Sequence, residues 1–297
     1  MTQSRIYAAY ERLLDRFVAR AETDSALRGI VVLGSRAREH RPADEWSDLD
    51  LVVVTTDPES YLSETDWLSE LGTPILTFLE PTATGDGTER RVLFDGGLDV
   101  DFVPVTPERI VRMERDGFEP DTATTFARGF RVVYDEDGIG ETLAAAVPDS
   151  PPETEPPSSE EFHELVADFW YHTIWIAKKL RRGERWTAMG CVDGYVKHDC
   201  LLPMVRWHAR ARTDRDTWHG GRFLEEWADD RVVDELGDAF ARYDSDDLWR
   251  ALFATMELFR WVADEVADEL GYDYPTAEDA AVTELVEELF EGRDDAN

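Results

Sequence analysis

The residue types with the most chemistry fall in one stretch, IVVLGSRAREHRPADEWSDLDLVVVT, from Ile30 to Thr55. Gly34-Ser35 closes one apolar run, Ile30 to Leu33, and Asp48-Leu49-Asp50 opens another, Leu51 to Val54. Both runs have the length and β-branched content of buried strands. Side chains two apart on a strand share a face, roughly 7 Å apart along it, so Asp48 and Asp50 point the same way. Two close carboxylates each resist ionising unless a cation neutralises them. Paired aspartates are hard-oxygen ligands that suit Mg²⁺, and the open amides of a Gly-Ser turn suit a phosphate. The spacing predicts metal-dependent chemistry on a nucleotide. Leu98-Asp99-Val100-Asp101-Phe102-Val103 offers a third carboxylate, with Asp99 and Asp101 again on one strand face. An isolated Asp-x-Asp is more often an exposed strand edge, so the weight rests on the three features together.

The elements that must position these groups can be read in order. Residues 4 to 20 read as an amphipathic helix leading into the first strand, and 36 to 46 as a polar connection. Pro58 to Leu71 is expected to be one helix and Ile75 to Leu79 a strand. Arg91 to Phe94 and Leu98 to Val105 read as an antiparallel pair joined at Asp95-Gly96-Gly97, a strong turn signal. A helix over Pro107 to Arg115 and a strand over Phe130 to Tyr134 complete a small mixed domain. Val147 to Glu160, rich in Pro, Ser and acid, reads as a linker. Ser158 or Ser159 with Glu161 then starts a helix in the manner of a capping box. Segments near 160–182, 186–211, 222–241 and 245–270 carry helical spacing of Trp, Phe and Leu, and no strand signal appears there. The expected fold class is α+β, with a domain at 1–148, a linker at 149–160 and an all-helical domain at 161–297.

Composition narrows the function classes. The chain has 297 residues, 42% hydrophobic and 11% aromatic, which is enough to bury a sizeable core. Its formal net charge is −34, and its only lysines are Lys178, Lys179 and Lys197. Such acidity with so little Lys resembles proteins of salt-loving organisms, in which charge maintains solubility. The charge therefore says little about the substrate, but it argues against nucleic-acid binding. No apolar run reaches the roughly 18 residues needed to span a bilayer, and the N-terminal pattern is not that of a secretion signal. Cys191 and Cys200 match no zinc spacing and read as inert core thiols of a cytoplasmic, monomeric protein.

Gly-Ser, then Asp-x-Asp, then an Asp on a later strand resembles the nucleotidyltransferase superfamily. The segments VLGSRA at 32–37, FDGGLDVDF at 94–102, DFWYHTIWIAKKL at 168–180 and LWRALFATMELFRWVADEVADELGYDYP at 248–275 look like the aminoglycoside 6-adenylyltransferase (streptomycin adenylyltransferase) family. The resemblance implies a nucleotidyltransferase domain whose mixed sheet is flanked by helices, with the site in a cleft facing a helical substrate-binding domain. It implies AMP transfer from Mg-ATP to a hydroxyl of a polycationic, streptomycin-like acceptor, with pyrophosphate released. Asp48, Asp50 and Asp101 would hold two Mg²⁺ ions; Asp99 stands one step off the family pattern. Gly34 and Ser35 would hold phosphates, and Lys178 matches the family's phosphate-reaching helix lysine. A lysine retained in so Lys-poor a chain fits that role, whereas Lys179 is expected to face solvent. Arg36 is either a phosphate contact or an ion-pair partner of the aspartates. Asp193 in CVDGYVKHD is the implied general base, or a partner for an acceptor amine. Of Trp170, Tyr171 and Trp175, most are expected in the core and one or two against a base or guanidinium. Alternative readings are nucleotidyl transfer to a protein or tRNA, and a nucleotide-binding module without catalysis.

Overall fold

The two apolar runs that bracket the Gly-Ser turn form neighbouring strands, β1 (Leu27–Leu33) and β2 (Leu49–Thr55). They pair antiparallel, with Leu33 opposite Asp50. The computed structural model describes residues 3–293 apart from 83, 84, 86, 153 and 214. It divides into two units, Met1–Glu153 and Thr154–Asn297.

In the first unit, β3 (Pro74–Pro81), β4 (Thr88–Phe94), β5 (Leu98–Val105) and β6 (Arg131–Asp135) extend the sheet, in the order β3-β4-β5-β2-β1-β6. Only β2 and β5 run parallel; the other neighbours are antiparallel. Strand alternation gives each face its own core. Ile30, Val32, Leu51, Val53, Val100 and Phe102 pack with Tyr10, Leu13, Leu14 and Phe17 of helix α1 (Gln3–Ala21). Those four helix positions follow the i, i+3, i+4, i+7 spacing of one buried stripe. Val31, Leu33, Val52, Val54 and Val105 face the other way, against Ile110, Phe126 and Leu143. These come from α4 (Pro107–Asp116), α5 (Pro120–Ala127) and α6 (Ile139–Ala146). With both faces covered, the central strands need continuous apolar sequence.

The single helix expected over Pro58 to Leu71 is instead two short ones, α2 (Pro58–Ser63) and α3 (Leu68–Leu71). The chain is extended at Glu64 (ψ 152°). The break lets Trp67 enter the core, with its ring centroid 5.9 Å from Phe17 and 5.0 Å from both Tyr61 and Phe102.

Among the described residues the second unit carries helices and no strand. α7 (Ser159–Arg181) starts at a Ser158–Glu161 capping box, α8 (Arg185–Met189) follows, and α9 spans Leu202–Arg212. Gly190–Leu201 between α8 and α9 is a π-helix, where sequence spacing suggested ordinary helix over 186–211. The segment near 222–241 also divides, into α10 (Leu224–Trp227) and α11 (Asp230–Ala239). α12 (Ser245–Leu270) and α13 (Thr276–Glu291) complete the unit. Phe169 of α7 stacks on Phe259 of α12 at 3.6 Å. Arg260 forks onto Asp279 at 2.6 and 2.7 Å, tying α12 to α13. Cys191 and Cys200 are buried free thiols, and burial pushes the Cys191 thiol up to about 11, a poor nucleophile. No described helix is long and apolar enough to cross a membrane.

Candidate active site

Strand register assembles the carboxylates. Asp50 lies opposite Asp101 in the parallel β2–β5 pair, and Asp48 just precedes β2 on the same side. Among the described residues, Asp48, Asp50 and Asp101 form a group with one oxygen from each lying within 4.8 Å of the others. Three hard oxygen donors at that separation fit a divalent cation such as Mg²⁺. Asp101 is 4% exposed, whereas Asp99 is an exposed residue outside the group. The Asp99 carboxyl is pushed up, first by desolvation and then by the charge of Asp101.

The Gly-Ser turn is built around Asp50. Gly34 has φ +64°, and a Cβ there would lie 2.1 Å from Asp50 Oδ2. Only glycine combines that backbone with so close an approach. Ser35 Oγ is buried without a hydrogen-bond partner, as is Nη1 of Arg36. Buried polar atoms are normally satisfied, so two orphan donors beside three carboxylates are suited to an anionic ligand held with a cation.

Arg36 holds the loop that delivers Asp48. Its Nε and Nη2 donate to the backbone oxygens of Asp48 and Ser47, each at 2.7 Å. Its guanidinium lies 3.6 Å from the centroid of the Tyr10 ring. Two of its nitrogens thus serve backbone carbonyls rather than the aspartate carboxylates, and Nη1 is the one left without a hydrogen bond. Tyr10 continues the support, since its hydroxyl accepts from the Asp99 backbone N–H at 3.0 Å.

Sequence reading missed Arg91 and Glu89 of β4. Arg91 pairs in register with Asp101, and its Nε and Nη2 bind the two Asp101 oxygens at 2.9 and 2.7 Å. Its Nη1 donates to Glu80 of β3 at 2.8 Å. Asp101 holds the Arg91 guanidinium firmly protonated. Glu80 and Glu89 are direct cross-strand partners, and burial, then the charge of Asp101, raises Glu89 to about 7. A signal for Arg91 existed. Counting outward from the turn at 95–97 pairs Phe94 with Leu98 and hence Arg91 with Asp101.

The remaining candidates lie in the helical unit. Lys178 is exposed, and its side chain makes no hydrogen bond or ion pair to a described residue. Lys179, expected to face solvent, is half-buried, 2.7 Å from Glu184 and 4.9 Å from the Trp175 ring centroid. Asp193 sits on the π-helix with both oxygens engaged. Oδ1 accepts from Lys197 Nζ at 2.8 Å and Oδ2 from the Ala241 N–H at 3.3 Å. Lys197 also donates to the Val192 carbonyl at 2.8 Å. Burial lowers the Lys197 pKa, and Asp193 opposes that shift. Trp170 is in the core, donating to the Tyr274 hydroxyl at 3.2 Å, whereas Tyr171 is 64% exposed.

The family model for streptomycin adenylyltransferase matches residues 8–289. Among curated proteins, the chain is 24% identical to an aminoglycoside 6-adenylyltransferase of Bacillus subtilis (strain 168), over 94% of this chain and 97% of that one. It is also 24% identical to one from Campylobacter jejuni, over 86% and 87% of the two chains. A crystal structure of an aminoglycoside 6-adenyltransferase from Bacillus subtilis is 21% identical, with a TM-score of 0.45 and coverage of 94% and 97%. The match spans both units, and the carboxylates and Gly-Ser turn assembled by the sheet fall inside it: the chain belongs to the streptomycin adenylyltransferase family, and is a nucleotidyltransferase.

Proposed function

We propose that this enzyme transfers AMP from ATP to a hydroxyl of an aminoglycoside, releasing pyrophosphate. The supporting observation is the Asp48–Asp50–Asp101 group beside a turn with two orphan buried donors. The relatives named aminoglycoside 6-adenylyltransferase support the acceptor class.

In this reading Asp48, Asp50 and Asp101 hold divalent cations. Bound there, such ions stabilise the attacking and leaving oxygens of an in-line displacement at phosphorus. Ser35 Oγ and the turn amides bind the outer phosphates, and Arg36 Nη1 adds a charged donor. Arg36 also fixes Asp48 through the loop carbonyls. One oxygen–phosphorus bond forms to the acceptor, one breaks to pyrophosphate, and the hydroxyl proton passes to solvent water. Lys178, exposed and unpaired among the described residues, supplies a phosphate-binding charge. We assign Asp193 to anchoring the π-helix in place of the base role expected of it. Both of its oxygens are already engaged, by Lys197 Nζ and by the Ala241 N–H, which ties the π-helix to the stretch between α11 and α12.

The test is pyrophosphate release in concentrated KCl with Mg²⁺ and ATP, over a panel of aminoglycosides including streptomycin, with mass spectrometry of the acceptors. A gain of one AMP on a drug, abolished by Asp50→Asn, is the expected result. Tight Mg-ATP binding without turnover of any drug would overturn the acceptor assignment.

A further inference from the structure

The cross-strand row does not end at the metal-ligand candidates. From β2 to β3 it runs Asp50, Asp101, Arg91 and, through Nη1 of Arg91, Glu80. We infer that Arg91 is a positioning residue: its two-nitrogen fork fixes the plane of the Asp101 carboxylate for divalent-ion binding, and Glu80 fixes Arg91. This inference rests on the reading of Asp48, Asp50 and Asp101 as metal ligands.

Three observations carry it. First, the fork engages both Asp101 oxygens, at 2.9 and 2.7 Å, so the carboxylate cannot rotate without breaking two charge-assisted bonds. Second, the direction is right. β5 lies between β4 and β2, so Arg91 reaches Asp101 from the β4 side while Asp48 and Asp50 stand on the β2 side. A carboxylate has about four lone-pair sites, and the fork leaves acceptor capacity on each oxygen for a cation. Third, the arginine is itself held, since Nη1 on Glu80 at 2.8 Å uses the remaining terminal nitrogen. The Asp101 side chain is 6% exposed, so water competes little for these bonds. Partners that orient metal ligands commonly contribute as much to affinity as this, and their loss weakens binding about 10- to 100-fold.

The experiment is a Mn²⁺ titration followed by electron paramagnetic resonance on the full chain without nucleotide. It compares wild type with Arg91→Ala, Arg91→Lys, Glu80→Gln and Asp101→Asn, alongside thermal melts without metal. Arg91→Ala is expected to weaken Mn²⁺ binding about 10-fold or more. Arg91→Lys should recover part of the loss, because an ammonium keeps the charge but not the fork. Glu80→Gln should weaken binding less than Arg91→Ala, with Arg91 itself intact; it and Arg91→Lys carry the test should Arg91→Ala fail to fold. Wild-type or tighter binding by Arg91→Ala would make Arg91 a mere competitor for Asp101 and overturn the inference. Wild-type binding by Arg91→Lys would show that charge alone suffices, which also overturns it. Undiminished binding by Asp101→Asn would remove the metal reading and this inference together. Weak binding by Asp101→Asn beside wild-type binding by Arg91→Ala would remove the inference alone.

Discussion

Two aspartate settings in this chain use the same chemistry in opposite ways. On the π-helix, Asp193 is matched by Lys197 and an amide N–H, so its charge is fully answered within the unit. On the sheet, Asp48, Asp50 and Asp101 stand together, and the Arg91 fork answers Asp101. A matched carboxylate anchors structure. Like charges gathered this closely are relieved when a cation arrives. The lysines divide in the same way, Lys197 buried and paired, Lys178 exposed and unpaired among the described residues.

The largest effect expected is on the sheet. Asp50→Asn should lower AMP transfer about 10³-fold or more, because several kcal/mol of charge stabilisation is lost. Its melting temperature should hold or rise, since a like charge is removed. On the π-helix the consequences should reverse. Asp193→Asn leaves the Lys197 charge buried and should cost about 3 kcal/mol in denaturant unfolding. The double change Asp193→Leu with Lys197→Met should cost less, because no charge is stranded. Should Asp193→Asn keep full stability but lose transfer activity, the two settings would not differ and Asp193 would regain the base role.

Smaller effects sharpen the contrast. Lys178→Ala should reduce kcat/KM about 10-fold, the worth of one charged hydrogen bond, with unfolding unchanged. Glu89 gives the least. Its carboxyl is raised from the usual 4.5 to about 7, so the folded protein binds that proton more tightly than the unfolded chain. The associated stability is present below about pH 4.5 and is lost as pH rises through 7. Glu89→Gln should therefore flatten the stability curve between pH 5 and 8, a difference on the order of 1 kcal/mol at the alkaline end. A wild-type curve already flat over that range would show the Glu80–Glu89 pair to be balanced.

How much of this was legible in the sequence depended on whether the signal was local. Asp48 and Asp50 share a face because alternation is a property of one strand, and Gly34 announces itself by sitting at a strand end. The buried runs of β1 and β2 were readable because a sheet covered on both sides requires them. Arg91 needed the hairpin register to be counted before its partner became visible. Glu80 lay further off, because it is not the register partner of Arg91, which is Phe78, and meets the guanidinium only on the diagonal. The break after α2 was hidden because Trp67 fits a helical pattern equally well until Phe17 and Phe102 claim it. The π-helix was hidden too, since its apolar residues satisfy ordinary helical spacing and the widening shows only in the backbone.

The end strand β3 carries a consequence for the behaviour of the chain in solution. It exposes Ile75, Leu76, Phe78 and Leu79, each by 46% to 59%. An exposed apolar edge strand is a template for aggregation. A net charge of −34 would ordinarily keep molecules apart, but at 1 M salt the reach of a charge shrinks to about 3 Å. In the brines its composition suggests, colloidal repulsion fades and local obstacles must do the separating. Pro74 and Pro81 bracket the strand and Glu80 lies within it, the kinds of residue that blunt an edge at short range, beside the longer-range protection of the acidic coat.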